Sequence, residues 1–239
     1  MTNPPSPARF HTTRWSVVLD ALVPERESRA ALETLCHTYW FPLYTFVRRR
    51  GHTHHEAQDL VQSFFARLVE KHDWRVDPAR GRFRAYLAAA MRHFLANQSE
   101  RERAEKRGGG KPLLSIDALA EQRFELEALD NETPERAYER TFALSLLDEA
   151  LKTLAAEQSR AKKSELFECL RPYLGLDAAP PPYARLAGEL GLTEGALRVA
   201  LHRLRKRFGE LVRLEIADLV SHPAEVESEL EALLEALSA

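Results

Sequence analysis

A chain of 239 residues with 44% hydrophobic content is long enough for two modest domains with ordinary cores. Its formal charge of −2 excludes a uniformly basic nucleic-acid binder, yet that value is the sum of segregated blocks. Residues 75–111 hold ten Lys/Arg against four Asp/Glu (+6), and residues 183–213 hold seven against three (+4). Residues 115–140 hold three against eight (−5), and residues 214–239 none against seven (−7). A polyanion responds to local charge, so the two basic blocks keep nucleic acid open as a partner.

Cys36 and Cys169 stand far apart without C-x-x-C spacing, which argues against a disulfide framework or a zinc site. The opening "MTNPPSPARF" has no apolar signal-peptide core, and runs such as "AYLAAAM" fall short of the ~20 residues of a membrane span. A soluble cytoplasmic protein with no membrane partner is expected.

Ala, Leu, Glu and Arg dominate, and hairpin signals are absent, so the chain reads as all-α. Residues 1–12 are a Pro-rich tail, expected to be disordered, and Thr13 can cap a short helix reaching Leu22. A second helix spans about Arg29–Arg50, with Pro42 expected to kink or break it and Gly51 to end it. A third covers His55–Lys71, burying Ala57, Leu60, Val61, Phe64, Phe65 and Leu68. After a loop with Trp74, Pro78 and Gly81, a fourth runs over about Arg82–Lys106 and buries Phe83, Leu87, Ala90, Met91 and Phe94.

"RGGGKP" then breaks the pattern, and residues 108–134 read as a flexible acidic linker with at most marginal helix. Thr133-Pro134-Glu135 is a helix start with Pro at the first helical position. Helices follow at about 135–156 and 161–170, and "GLDAAPPP" is a loop. The last stretch, residues 214–239, is an acidic helical extension. Its stripe of Val226, Leu230, Leu233, Leu234 and Leu237 must pack on this chain or on a regulator.

The segment "YARLAGELGLTEGALRVALHRLRKRF" is a helix, a tight corner at Gly191-Leu192-Thr193, and a second, basic helix. Thr193 can cap that helix and Glu194 suits its positive end. Leu197, Leu201, Leu204 and Phe208 form one apolar stripe. Gly195, Arg198, Val199, His202 and Lys206 lie opposite, with Arg203 at the edge. One anchored face and one basic face are what a recognition helix needs to enter a major groove. A charged face packed on nothing but solvent is the bland alternative.

"LAGELGLTEGALRVALHRLRKRF" resembles the C-terminal helix-turn-helix of bacterial RNA polymerase sigma-70 family factors of the extracytoplasmic-function (ECF) type. "YWFPLYTFVRRRGHTHHEAQDLVQSFFARLVE" and "DPARGRFRAYLAAAMRHFLANQSERERAEKR" resemble the domain of those factors that docks on polymerase and opens the −10 element. The resemblance covers about Thr13–Arg213, in the right order. It implies two helical domains: residues 13–107 for polymerase docking and the −10 element, and residues 135–213 for the −35 element.

What it implies for sites follows position by position. Thr193, Glu194, Gly195, Arg198, Val199, His202, Arg203, Lys206 and Arg207 would meet the −35 element. Arg198 and His202 would read bases there, and Arg203, Lys206 and Arg207 phosphates. Trp74, Arg84, Arg92, Asn97, Ser99 and Arg103 would meet the −10 element. Asp59, Gln62, Ser63, Ala66 and Glu70 would face the clamp of core RNA polymerase. Relatives commonly carry acidic residues where this chain has Ser63 and Ala57 or Gln58, so docking weaker than the family norm is expected.

The implied partners are core RNA polymerase and promoter DNA. An anti-sigma factor, or a kinase acting on Ser63, is a candidate regulator, and the free protein is expected as a monomer. The alternative is a freestanding helix-turn-helix regulator, which predicts a dimer and palindromic sites but leaves the basic fourth helix unexplained. An enzyme is not expected: paired carboxylates, a nucleophile–base motif and a phosphate-cradling loop are all missing. No cofactor or metal is expected either. His52, His54 and His55 lack a carboxylate or Cys at ligand spacing and read as a polar helix start.

Overall fold

The computed structural model describes residues 27–71, 82–104, 120–127, 132–175, 180–220 and 222–238. The expected helix over 13–22 and the loop with Trp74 lie outside them. Among the described residues every element is helical and none is a strand. The helices are α1 (Glu27–Arg49), α2 (His54–Lys71), α3 (Phe83–Ala104), α4 (Ala120–Glu127), α5 (Pro134–Arg160), α6 (Ser164–Leu170), α7 (Tyr183–Leu190), α8 (Glu194–Ala217) and α9 (Val226–Ser238). Short 3₁₀ turns cover Arg171–Leu174 and Pro223–Glu225.

The described residues divide into two compact units. The first reaches Leu144 and takes back the segment from Ala217 onward; the second is Ser145–Ile216. This differs from the expected borders, because the division falls inside α5 and the C-terminal extension belongs to the first unit. Pro134 opens α5 as expected, with the Thr133 hydroxyl accepting from the Arg136 N–H at 3.3 Å. From there the helix continues across the division without a break.

In the first unit α1 supplies Tyr39, Leu43, Phe46 and Val47 to the core. Ala57, Val61 and Phe64 come from α2, Leu87, Met91 and Phe94 from α3, and Tyr138 and Phe142 from α5. The Tyr39 ring stacks on Phe142 at 5.3 Å and meets Phe83 edge-on at 5.4 Å. α1 runs through Pro42 without the break that was one of the two expectations there. A proline inside a helix costs ~3 kcal/mol through one lost hydrogen bond and a ring clash. Here Tyr39, Trp40, Phe41, Leu43, Tyr44, Phe46 and Val47 on both sides of it are buried, and that burial outweighs the loss. Gly51, at φ +91°, ends the helix, its N–H donating to the Arg48 carbonyl at 3.0 Å.

The acidic stretch before α5 is not wholly a linker. α4 forms within it and buries Ala120 completely. Its docking is electrostatic and aromatic. The Glu121 carboxylate accepts from Arg48 at 2.8 Å and from the Tyr44 hydroxyl at 2.5 Å. The Arg48 and Arg49 guanidinium groups lie 4.8 and 5.7 Å from the centre of the Phe124 ring. The Arg48–Arg50 run at the end of α1 thus meets the −5 block that follows it in sequence.

The extension also departs from its expected stripe. Leu233 is buried, Val226, Leu230 and Leu237 are half-buried, and Leu234 is 52% exposed. Glu229, a carboxylate outside that stripe, is instead only 2% exposed. The reason lies in its partners, described below.

The second unit packs Ala150, Leu151 and Leu154 of α5 with Phe167 and Leu170 of α6. Leu186 and Ala187 of α7 and Leu197, Leu201, Leu204, Leu211 and Val212 of α8 complete this core.

Candidate nucleic-acid interface

The corner between α7 and α8 is built by local rules. Gly191 takes φ +63°, where a side chain is disfavoured, and ends α7. The Leu192 N–H donates to the Ala187 carbonyl at 2.9 Å, and the Gly191 N–H to the Gly188 carbonyl at 3.3 Å. The Thr193 hydroxyl then accepts from the Ala196 N–H at 3.2 Å and starts α8. The end of one helix and the start of the next are thus closed within three residues, Gly191 to Thr193.

With Leu197, Leu201 and Leu204 buried, α8 presents Thr193, Glu194, Gly195, Arg198, Val199, His202, Arg203 and Lys206 to solvent. The Arg198 guanidinium lies over the Tyr183 ring, 5.4 Å from its centre, and 3.3 Å from the Glu194 carboxylate. Arg207 does not join that face. It forks onto Glu157 of α5, Nη2 to Oε1 at 2.6 Å and Nε to Oε2 at 2.9 Å, with Glu210 also at 2.9 Å. These bonds hold the Glu157 carboxyl below its usual range, and hydrogen bonding to Glu157 and then Glu210 raises the already high pKa of Arg207. Arg205, which sequence reasoning passed over, donates to the Tyr173 carbonyl at 2.6 and 3.1 Å and ties α8 to the 3₁₀ turn. The basic helix therefore sorts into outward Arg198, Arg203 and Lys206, and Arg205 and Arg207, which are tethered to Tyr173 and Glu157 of the same unit.

On α3, Arg92 and Asn97 are exposed, and Arg92 stands 3.7 Å from Glu135. The side chains of Ser99 and Arg103, and all of Trp74, lie outside the described residues. Arg84 is the departure: it is 5% exposed, its Nε 2.5 Å from Glu139 and its Nη1 against the Glu229 carboxylate. Its carbonyl also accepts from the buried Tyr138 hydroxyl at 3.0 Å, and burial pushes that hydroxyl's pKa well up. Nothing in the local sequence pattern around Arg84 announces carboxylates arriving from α5 and α9.

On α2, Asp59 and Ser63 are exposed, Gln62 and Ala66 are half-buried, and the Glu70 side chain lies outside the described residues. Glu56 is engaged in capping: its carboxylate accepts from the Thr53 N–H at 2.8 Å and the Thr53 hydroxyl at 2.9 Å. That backbone hydrogen bond lowers its pKa. His54 lies 2.8 Å from the Tyr44 hydroxyl and 3.1 Å from Glu121, which gives the histidine a structural setting. No group of three or more metal-ligating side chains occurs among the described residues. No helix among them is long and apolar enough to cross a membrane.

A family model described as "ECF sigma factor" matches residues 28–173, more than half of the chain, and the protein belongs to the ECF sigma factor family. Sigma factors are transcription-initiation factors rather than enzymes, with core RNA polymerase and promoter DNA as the family's partners. The matched span runs from α1 to the 3₁₀ turn after α6, so α7 and α8 lie beyond it. No curated protein and no solved structure matches the chain.

Proposed function

We propose that this chain binds core RNA polymerase, directs it to specific promoters and stabilises the melted strand at initiation. One observation carries the promoter-reading half. α8 buries Leu197, Leu201 and Leu204 while leaving Arg198, Val199, His202, Arg203 and Lys206 exposed on the opposite side. An anchored helix with a basic, solvent-facing side is suited to a major groove, Arg198 and His202 toward bases and Arg203 and Lys206 toward phosphates. Arg207 is left out of the phosphate set because Glu157 already takes its fork. For docking, the exposed Asp59 and Ser63 of α2 are the surface offered to the clamp. On α3, Arg92 and Asn97 remain available to a promoter strand.

Run-off transcription with core polymerase, with and without the purified chain, tests the reading. Template-specific transcripts only in its presence are expected. Tight binding to duplex DNA by a dimer without polymerase, and no transcript, would instead establish the freestanding regulator.

A further inference from the structure

The first unit contains a cluster of four charges in which α9 meets the start of α3 and α5. Arg84 of α3 is 5% exposed and holds two carboxylates, Glu139 and Glu229. Arg82, just before α3, has its Nε 2.5 Å from the other oxygen of Glu229. Glu229 is itself 2% exposed. Two guanidinium groups thus balance two carboxylates, one from α5 and one from the acidic C-terminal helix. Glu135 and Arg136 of α5 and Glu235 of α9 line the same cleft, so without α9 the charges Arg82, Arg84, Arg136, Glu135 and Glu139 would sum to +1, and a buried arginine would be opened toward solvent.

α9 is held lightly apart from this cluster. Of its residues only Glu229 and Leu233 are buried, whereas α1 alone buries Tyr39, Leu43, Tyr44, Phe46 and Val47 completely or nearly so. A helix of 13 residues is marginal in isolation, so its attachment rests on what it docks against. Here the polar docking element, beside the buried Leu233, is an anion on a pair of arginines. Arginine forks donate to carboxylate and phosphate oxygens with the same bidentate geometry, and phosphate carries them in a repeating row along a nucleic-acid strand.

We propose that Arg82 and Arg84 form an anion site that takes a backbone phosphate of single-stranded DNA, and that Glu229 of α9 occupies this site in cis until the strand displaces it. The inference rests on the reading of α3 as a strand-contacting helix and adds to it a site and a built-in competitor. It relocates the target of the acidic extension: the −7 block acts on the basic start of α3. Arg92 and Asn97 are exposed further along the same helix, about two and three and a half turns beyond Arg84.

The test uses the full chain at low salt and a short labelled single-stranded DNA of mixed sequence, read by fluorescence anisotropy. Glu229→Gln keeps the size of the side chain and removes the charge. It should bind the strand about ten-fold more tightly than wild type, within the usual range of coupling between linked sites. Arg82→Ala in the Glu229→Gln background should remove most of that gain. In wild type, saturating strand should speed hydrogen exchange across residues 226–238, and inorganic phosphate at equal phosphate concentration should not. A folded Glu229→Gln chain with unchanged affinity overturns the proposal, as does a gain that survives Arg82→Ala or an equal response to free phosphate. Loss of the first unit's fold in Glu229→Gln, or exchange in 226–238 indifferent to the strand, makes α9 a permanent part of the core and equally ends it. Run-off transcription separates the two levels. Transcripts with no such gain leave the sigma reading standing, and their absence removes the reading itself.

Discussion

Lys206 and Arg207 are neighbours in sequence and were both expected on phosphates, but Lys206 is exposed while Arg207 is engaged by Glu157. Arg207 forks onto Glu157 with side-chain exposures of 39% and 29%, so solvent screens the pair appreciably. Exposed ion pairs contribute ~0.2–1 kcal/mol, and bidentate geometry places this one toward the upper end, about 0.5–1 kcal/mol. In a domain of this size 1 kcal/mol moves the melting midpoint by about 4–8 °C, so Arg207→Ala should lower the second unit's transition by about 2–8 °C. Lys206→Ala should leave that transition unchanged. The DNA measurement should show the reverse. Removing one phosphate contact flattens the slope of log K against log salt by about 0.9, which is expected of Lys206→Ala and not of Arg207→Ala. The stability difference also carries a pH signature. Arg207 depresses the Glu157 carboxyl, so the contribution is complete above the ordinary carboxylate range and fades as pH falls through the lowered value. Thermal melts and anisotropy titrations over a salt series on the two variants decide the matter. A flattened salt slope with an unmoved melting midpoint in Arg207→Ala would refute the assignment.

Other expected outcomes follow from the same geometry. Gly191→Ala must adopt φ +63° with a side chain and should destabilise the second unit by ~1–2 kcal/mol in urea titrations, although a Cβ there meets open space. Arg198→Ala should cost ~1–3 kcal/mol of promoter discrimination and relax preference at one or two base pairs, read by competition binding; unchanged preference sinks its base-reading role. Ser63→Glu should strengthen binding to core polymerase and Asp59→Lys should abolish it, both with an unchanged melting curve because both positions are exposed. Titration of core with the two variants checks this, and a Ser63→Glu protein that binds no better than wild type removes charge at that site from the account.

Most of the helices were legible in sequence because their signals are local. Thr133-Pro134 starts α5, Thr193 starts α8, and Gly51 and Gly191 end the helices before them, each through bonds within a few residues. The stripe of Leu197, Leu201 and Leu204 likewise settled which side of α8 would be anchored, and with it the outward set Arg198, His202 and Lys206. What the sequence could not decide depended on partners far along the chain. Pro42 is tolerated because aromatic burial around it outweighs a missing hydrogen bond. α4 forms in an acidic stretch because Arg48 and Tyr44 wait at the end of α1. Glu229 and Arg84 are buried because each neutralises the other, and Arg207 leaves the basic face because Glu157 lies within reach. Helix starts, stops and apolar stripes are written in spacings of one to four residues, whereas the pairing of a charge is set by whichever opposite charge the fold brings beside it.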